Sequence, residues 1–126
     1  LACWTPDGFI GQLFALVGRT VPPAPGLKSP PLWGTRAHLE SIFGARAASI
    51  QTNVREFAFR YLSAEHFIDT FRRFYGPTHV LLKSLDAERG AAFTSELTAL
   101  IDRFDRSDDD TVVIASSYLE TVIVRA

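Results

Sequence analysis

The sequence contains one cysteine, no methionine and no long apolar run. A single cysteine cannot form a disulfide within the chain, which is typical of a protein from a reducing compartment. Cys3 itself is expected to be a small buried apolar residue. No apolar stretch is long enough to cross a bilayer, and the first residues lack the basic and hydrophobic regions of a secretion signal. We therefore predict a cytoplasmic protein that has no membrane partner.

The missing methionine also bears on the extent of the chain. Either an initiator residue has been removed, or the chain is a piece of a longer protein. Leu1–Trp4 resembles the last residues of a buried strand, which favours the second explanation.

Neither sign of charge dominates the chain. The formal net charge is −1, and the 13 basic residues are nearly all arginines scattered along the sequence. This balance gives no reason to expect nucleic acid as a partner. A length of 126 residues with 47% hydrophobic content predicts one domain, spanning residues 1–126, with a core of its own.

Known catalytic and metal-binding motifs are also absent. His38, His66 and His79 have no metal-ligand spacing, and no second cysteine can assist them. The acidic run Asp105–Asp110 lacks the glycine and the distal glutamate of a calcium loop, so a solvated turn is expected there. The sequence has no glycine-rich phosphate loop and no nucleophilic serine elbow. The residues by themselves therefore predict no catalytic centre.

What the sequence does have is an aromatic strand followed directly by an aromatic helix, within Val54–Pro77. Strand periodicity places four residues on one face: Arg55, Phe57, Phe59 and Tyr61. Ser63 is a good N-cap, and the helix after it carries a stripe: Phe67, Phe71, Phe74 and Tyr75. Gly76 and Pro77 form a helix stop. The two aromatic surfaces are expected to pack on each other or to wall a shared pocket.

The remaining elements are predicted from caps and periodicity. Thr5 caps a helix that begins at Pro6 and closes at Gly18. Further helices are predicted over Thr35–Phe43, Thr78–Leu85 and Asp86–Arg106. A strand is predicted over Thr111–Arg125, with a bend or bulge at Ser116 and Ser117.

A proline-rich loop is predicted over residues 21–32, which contain five of the seven prolines. Three interpretations of this loop stay open. It is a flap over a site, a polyproline ligand through Pro22 and Pro25, or a stiff connector between packed helices, and the connector is preferred.

Four segments together resemble a known family. They are Trp4–Phe14 (WTPDGFIGQLF), Pro31–Phe43 (PLWGTRAHLESIF), Phe59–Pro77 (FRYLSAEHFIDTFRRFYGP) and Tyr118–Val124 (YLETVIV). In this order they resemble the C-terminal half of class I S-adenosylmethionine-dependent methyltransferases of the bacterial small-molecule type. The resemblance covers nearly the whole chain, although none of the four segments is a catalytic signature.

The resemblance implies an α/β fold, the C-terminal portion of a doubly wound, Rossmann-like sheet. In that family the last of seven strands is antiparallel and lies between the fifth and the sixth. Leu1–Trp4 is then the end of the fifth strand, Ile50–Leu62 contains the sixth, and Tyr118–Arg125 is the seventh. About three strands with helices packed on them are therefore expected.

The resemblance also implies that the cofactor side is missing. The family binds S-adenosylmethionine through a D-x-G-x-G turn after the first strand, an acidic residue ending the second strand and residues after the fourth. This sequence contains no such turn. We therefore expect no cofactor to bind this chain alone, although S-adenosylmethionine is implied for a complete enzyme.

The substrate side is what the resemblance places in this chain. In such enzymes the segment after the fifth strand and the helices near the sixth line the acceptor pocket. The candidates are Trp4, Phe9, Trp33, Tyr61, Phe71 and Tyr75. His66 is added because it lies in the first turn of the aromatic helix.

Two functions follow as hypotheses, with a weaker third. The chain is the substrate-side half of a small-molecule methyltransferase, inactive without an N-terminal half. Alternatively, it is a stand-alone, non-enzymatic module that binds an apolar ligand or forms a homodimer or larger homo-oligomer through unpaired strand edges. The third hypothesis is an aromatic pocket with its own chemistry centred on His66.

Overall fold

The computed structural model describes residues 1–126 as a mixed α/β structure with three strands and five α-helices. The strands are β1 (Ala2–Trp4), β2 (Ala47–Tyr61) and β3 (Val112–Arg125). The α-helices are α1 (Phe9–Thr20), α2 (Arg36–Phe43), α3 (Ala64–Phe74), α4 (Gly76–Ser84) and α5 (Ala87–Phe104). Two short 3-10 helices cover Pro30–Gly34 and Gly44–Arg46. The expected α/β class, with three strands and packed helices, is confirmed.

The three strands form one sheet in the order β1-β3-β2. The last strand, β3, is antiparallel to both neighbours, so β1 and β2 run in the same direction. Trp4 lies opposite Tyr118, which lies opposite Arg55 on the other side. At the far end of the sheet Tyr61 lies opposite Val112, so β2 continues well beyond the carboxyl end of β1.

The sheet has two unlike faces because opposed residues share a face and successive residues alternate. The helix face carries Trp4, Phe57, Phe59, Tyr61, Val112, Ile114 and Ser116. The open face carries Val54, Glu56, Ala58, Arg60, Val113, Ala115 and Ser117. The predicted alternation in β2, with Arg55, Phe57, Phe59 and Tyr61 together, is confirmed.

The hydrophobic core lies between the helix face and the helices α1, α3 and α5. Its fully buried members are large apolar side chains: Phe9, Ile10, Leu13, Phe67, Phe93, Leu97, Ile101 and Ile114. Phe67 contacts Phe9 edge-on and stacks on Phe71, with ring centroids 5.4 Å and 4.0 Å away. Burial of this many large side chains is the main source of stability for the fold. None of the five helices has both the length and the apolar composition needed to cross a bilayer.

α2 lies near the opposite end of the sheet from α3. Thr35 caps α2 as predicted, since its hydroxyl accepts the His38 N–H at 3.4 Å. Leu39 is fully buried, and the Arg36 guanidinium reaches the hydroxyl of Thr52 on β2 at 3.5 Å. Beyond this contact the β2 side of the open face is exposed to solvent, whereas Ala115 and Leu119 on its β3 side are buried.

The predicted start of the first helix is wrong. α1 begins at Phe9 with Gly8 as its N-cap residue, and it continues past Gly18 to Thr20. Thr5 does not cap it, because the Thr5 N–H and hydroxyl both donate to the Ser117 carbonyl, at 3.0 and 3.3 Å. The helix instead receives its capping contact from β3, where the Ser116 hydroxyl accepts the Ile10 N–H at 3.1 Å.

The predicted bulge at Ser116 and Ser117 is also wrong. Both residues are paired regularly with β2, and the register shift lies instead between Ala47 and Ser49. The two serines are accommodated by contacts with α1 and Thr5 rather than by a kink in the strand.

Other boundaries differ by a few residues. Ser63 and Asp86 cap α3 and α5 as predicted, but α5 ends at Phe104 rather than Arg106. Gly76 and Pro77 end α3 and at once form the first turn of α4, where proline is well tolerated. In the proline-rich segment, residues 22–29 are exposed irregular backbone, and Pro30 already belongs to the first 3-10 helix.

Candidate functional site

An open cavity of about 290 Å³ lies where the aromatic strand and the aromatic helix meet. Its eight lining residues are Trp4, Ile10, Phe59, Tyr61, Thr70, Phe71, Phe74 and Tyr75. They come from the carboxyl ends of β1 and β2, from α1 and from α3. In sheets with parallel strands, ligands commonly bind outside the carboxyl ends of the strands.

The turn at Ser63 brings α3 back over β2. The Ser63 hydroxyl accepts the His66 N–H at 3.1 Å, which starts the helix immediately after the strand. Residues four apart in a helix share a face, so Phe67 and Phe71 both point at the strand. Phe67 meets Tyr61 at 4.8 Å and Phe71 meets Phe59 at 6.3 Å, both edge-on. Phe67 therefore packs in the core, whereas Phe71 also borders the cavity.

Trp4 closes the cavity on the β1 side. Its ring lies 5.7 Å from Phe59 and 6.0 Å from Tyr118 between centroids. Behind it, Gly34 packs so closely that a Cβ there would come within 2.0 Å of the Trp4 carbonyl oxygen. The backbone that carries Trp4 is therefore held by a contact that only glycine permits.

The polar groups carried by the lining side chains are two phenols, one aliphatic hydroxyl and the indole N–H of Trp4. Burial raises the pKa of Tyr61 and that of Tyr75, because removal from water disfavours the phenolate. Both phenols are therefore protonated at neutral pH and can donate hydrogen bonds to a ligand. The hydroxyl of Thr70 donates to the His66 carbonyl at 2.8 Å. With no carboxylate, imidazole, thiol or amine in its lining, the cavity can bind and orient a molecule but offers no general base.

Four of the seven sequence candidates meet at this cavity. They are Trp4, Tyr61, Phe71 and Tyr75. Phe9 does not line it, because its side chain is fully buried in the core against Phe67 and Phe104. Apolar periodicity predicts that Phe9 faces inward, but it does not show which side of the helix meets the cavity.

Trp33 and His66 also lie outside the cavity lining. Trp33 is away from the site and packs against His38 and Phe43, at 5.7 and 6.2 Å. The Nδ1 atom of His66 accepts the Leu62 N–H at 3.3 Å, and its ring packs edge-on against Tyr61. His66 therefore holds the strand-to-helix turn and does not line the cavity.

Four lining residues were not among the candidates: Ile10, Phe59, Thr70 and Phe74. Phe59 and Phe74 belong to the predicted aromatic surfaces, so their periodicity was a usable signal. Thr70 gave no signal, since a threonine on the polar side of a helix has no distinguishing pattern.

The acidic turn after α5 serves the fold. The Asp105 carboxylate accepts the Ser107 and Val113 N–H groups at 3.0 and 2.8 Å. Burial opposes ionisation of Asp105, but these hydrogen bonds together outweigh it and lower the pKa of the carboxyl. No group of three or more histidine, cysteine, aspartate or glutamate side chains is arranged to hold a metal ion.

No protein-family model matches this sequence. It is similar to a protein of Mycobacterium bovis and to proteins of two Mycobacterium tuberculosis strains, each named as an uncharacterized protein and each 28% identical over 101 residues. The aligned stretch covers 79% of this chain and 35% of each relative. The chain therefore spans about a third of the length of the curated relatives it matches, and their names assign no activity to it.

Proposed function

We propose that this chain is the substrate-side half of an S-adenosylmethionine-dependent methyltransferase acting on a small molecule. The observation that carries the proposal is the position of the aromatic cavity beside the carboxyl ends of two parallel strands, β1 and β2. The antiparallel strand between them, β3, has the place that the family resemblance assigns to the seventh strand. On this basis β1, β2 and β3 correspond to the fifth, sixth and seventh strands of a doubly wound sheet.

The cavity suits a methyl acceptor with a flat apolar body. Transfer of a methyl group depends mainly on holding the acceptor atom in line and excluding water. Aromatic walls formed by Trp4, Phe59 and Phe71 favour a planar molecule, and a volume of about 290 Å³ admits one or two rings. The phenols of Tyr61 and Tyr75 are hydrogen-bond donors that can fix the orientation of a polar acceptor group.

The cavity does not fit S-adenosylmethionine itself. In the family that this chain resembles, an acidic residue and a glycine-rich turn hold the cofactor. The eight lining residues include neither a carboxylate nor a glycine. When bound to a complete enzyme the cofactor would supply the methyl group, but no residue of this cavity is assigned to it. We therefore propose that this chain is inactive alone and needs an N-terminal half. We also propose that it works in the cytoplasm.

A second candidate is a stand-alone, non-enzymatic module that binds an apolar ligand in the same cavity. It is favoured by the absence of any carboxylate, imidazole, thiol or amine from the lining. Both candidates predict ligand binding, and they differ in whether a methyl group is transferred.

Ligand binding is tested by titrating the chain with 2-naphthol and following tryptophan fluorescence in a Trp33→Phe background, where Trp4 is the remaining reporter. Phe74→Ala, which trims the exposed cavity rim, should weaken binding several-fold. Val80→Ala, an exposed apolar residue of α4 outside the cavity, is the matched control and should leave binding unchanged. Equal binding by both variants would remove the cavity as a ligand site.

The methyltransferase proposal is tested separately. The DNA immediately upstream is read for a frame encoding a strand, D-x-G-x-G and a helix, and the joined protein is assayed for transfer of a labelled methyl group to planar phenols. Calorimetry of the 126-residue chain with S-adenosylmethionine should show no binding. Absence of the upstream frame, together with intact 2-naphthol binding, would replace the enzyme by the non-enzymatic module.

A further inference from the structure

The outer edge of β2 is a long strand edge without a partner. β2 has 15 residues and pairs with β3 on one side, and the strand order places its other side at the margin of the sheet. The strand contains no proline, and its single irregularity lies at the end, between Ala47 and Ser49. Native proteins usually protect such edges with prolines, bulges, charged side chains or covering loops, because free N–H and C=O groups invite another strand. Of these, the central and last part of β2 has only charged side chains, Arg55, Glu56 and Arg60.

We propose that two copies of this chain pair through β2, antiparallel and around a twofold axis at Ala58. The axis stands perpendicular to the sheet, so each copy keeps its helix face and its open face on the same sides. Residues equally far before and after Ala58 then lie opposite each other in the two copies. Because β2 ends at Tyr61, the paired segment is Arg55–Tyr61, and the first eight residues of β2 extend beyond it. The result is one six-stranded sheet in the order β1-β3-β2-β2-β3-β1.

The charges on the open face fit this register. Glu56 of each copy lies directly opposite Arg60 of the other, which forms two opposite-charge pairs. Arg60 has no ion pair within its own chain. Glu56 meets Arg106 at 3.2 Å, and a carboxylate can accept from a second arginine as well.

The apolar residues fit the same register. Val54, which is 67% exposed on the open face, comes next to Leu62 of the other copy, the first residue after β2, which is 74% exposed. On the helix face, Phe57, which is 51% exposed, lies opposite Phe59. Aromatic pairs across neighbouring antiparallel strands are stabilising, so both faces gain from the pairing.

Neighbouring registers lack this complementarity. An axis at Arg55, Glu56 or Arg60 places two like charges opposite each other. An axis at Phe57 or Phe59 leaves Glu56 and Arg60 opposite apolar or small residues. Among these registers, Ala58 alone pairs the two charges.

The dimer would also bring an aromatic ring of the second copy close to one wall of the cavity. Phe59 is one of its walls, so Phe57 of the second copy would lie beside that wall on the helix face. The edge of β1 is not used, which leaves it available to other parts of a longer protein. The inference rests on the β2 edge and does not depend on the proposed methyl transfer.

The oligomeric state is tested by sedimentation equilibrium of the 126-residue chain from about 5 µM to 1 mM, because an interface of one strand per copy is small and should dissociate within this range. Arg60→Glu should raise the dissociation constant about tenfold or more, since both pairs become repulsive. The swap Glu56→Arg with Arg60→Glu should restore it to within about threefold of the original value. Arg46→Glu makes the same charge change away from the axis and should have no effect. A monomer at every concentration, or equal effects of Arg60→Glu and Arg46→Glu, would overturn the proposal.

The register is tested by oxidation of cysteine variants in a Cys3→Ala background. Ala58→Cys places two thiols opposite each other at the axis, where Cβ atoms lie about 4.5–5.5 Å apart, so oxidised glutathione should give a covalent dimer. Val54→Cys is the control on the same face. Its two copies would lie about 26 Å apart, eight residues along the strand, and should stay unlinked. A covalent dimer from Val54→Cys, or none from Ala58→Cys, would contradict this register. Circular dichroism of each variant shows whether the fold is kept.

Discussion

The helix face and the open face of the sheet are built from the same strands, yet they differ in how far they are covered. Phe59 and Tyr61 on the helix face are covered by α3 and border both the core and the cavity. Val54 and Arg60, on the open face of the same strand, are exposed. Alternation sorts residues into two sets, but the turn at Ser63 decides which set is covered, because it returns α3 over one face.

The largest difference between the faces is expected from two phenylalanines of α3. Phe67→Ala removes a fully buried ring that contacts Phe9, Tyr61 and Phe71, so the free energy of unfolding should fall by about 3–5 kcal/mol. Phe74→Ala removes a ring that is 80% exposed and should change it by less than about 0.5 kcal/mol. Urea unfolding followed by circular dichroism measures both. Equal losses would mean that α3 does not cover the helix face.

Two adjacent serines of β3 allow the two faces to be compared at one position of the sheet, because Ser116 lies on the helix face and Ser117 on the open face. Ser116→Ala leaves the buried Ile10 N–H without an acceptor, so we expect a loss of about 1–3 kcal/mol. Ser117 contacts Thr5 through its backbone carbonyl, so Ser117→Ala should stay within about 0.5 kcal/mol. Thermal unfolding of the two variants distinguishes them, and a larger effect at Ser117 would contradict the assignment of faces.

An alkaline titration examines the cavity side of the helix face. Burial raises the pKa of Tyr75 above its ordinary value of 10.0. The folded protein therefore keeps the phenolic proton where the unfolded chain loses it, and stability falls as the pH rises past 10. In Tyr75→Phe the free energy of unfolding should fall less steeply with pH, by the slope that corresponds to less than one bound proton. Urea unfolding between pH 8 and 11 measures this slope. Identical pH profiles would mean that the phenol is fully hydrated.

The smallest effect is expected on the open face. Arg106 and Glu56 form an ion pair at 3.2 Å, but both side chains are more than half exposed. Arg106→Ala should therefore cost between about 0 and 1 kcal/mol, and added salt should reduce the difference. A loss similar to that of Phe67→Ala would show that the open face is covered in solution, which sedimentation of the variant would then examine directly.

Much of the fold could be predicted from local signals. Ser63, Thr35 and Asp86 are short polar residues before apolar periodic runs, and each caps the predicted helix. Thr5 has the same local signature and failed, because Ser117 competes for its hydroxyl across the fold. Ser116 lies 106 residues away from Ile10, so its capping contact cannot be predicted from the residues near the helix.

The candidate site was predictable to a similar degree. Tyr61, Phe71 and Tyr75 came from two aromatic periodicities that meet at one turn, and the structure brings them to one cavity with Trp4. Phe9 and Trp33 carried equally apolar signals but lie in the core and against α2. Apolar patterning identifies residues that leave water, and it does not distinguish a closed core from an open pocket.

The sequence by itself determined the α/β class, the strand and helix of the aromatic stretch, and the sorting of β2 into an aromatic face and a charged one. These depend on caps and on periods of two and 3.6 residues, which are local properties of the chain. The position of β3 between β1 and β2 was implied only by the family resemblance, and no local pattern predicts it. The tertiary structure alone decided that Ser116 caps α1 and that the edge of β2 is left free. Those features require contacts between residues far apart in the chain, and such contacts are selected by packing of the whole core rather than by any local pattern.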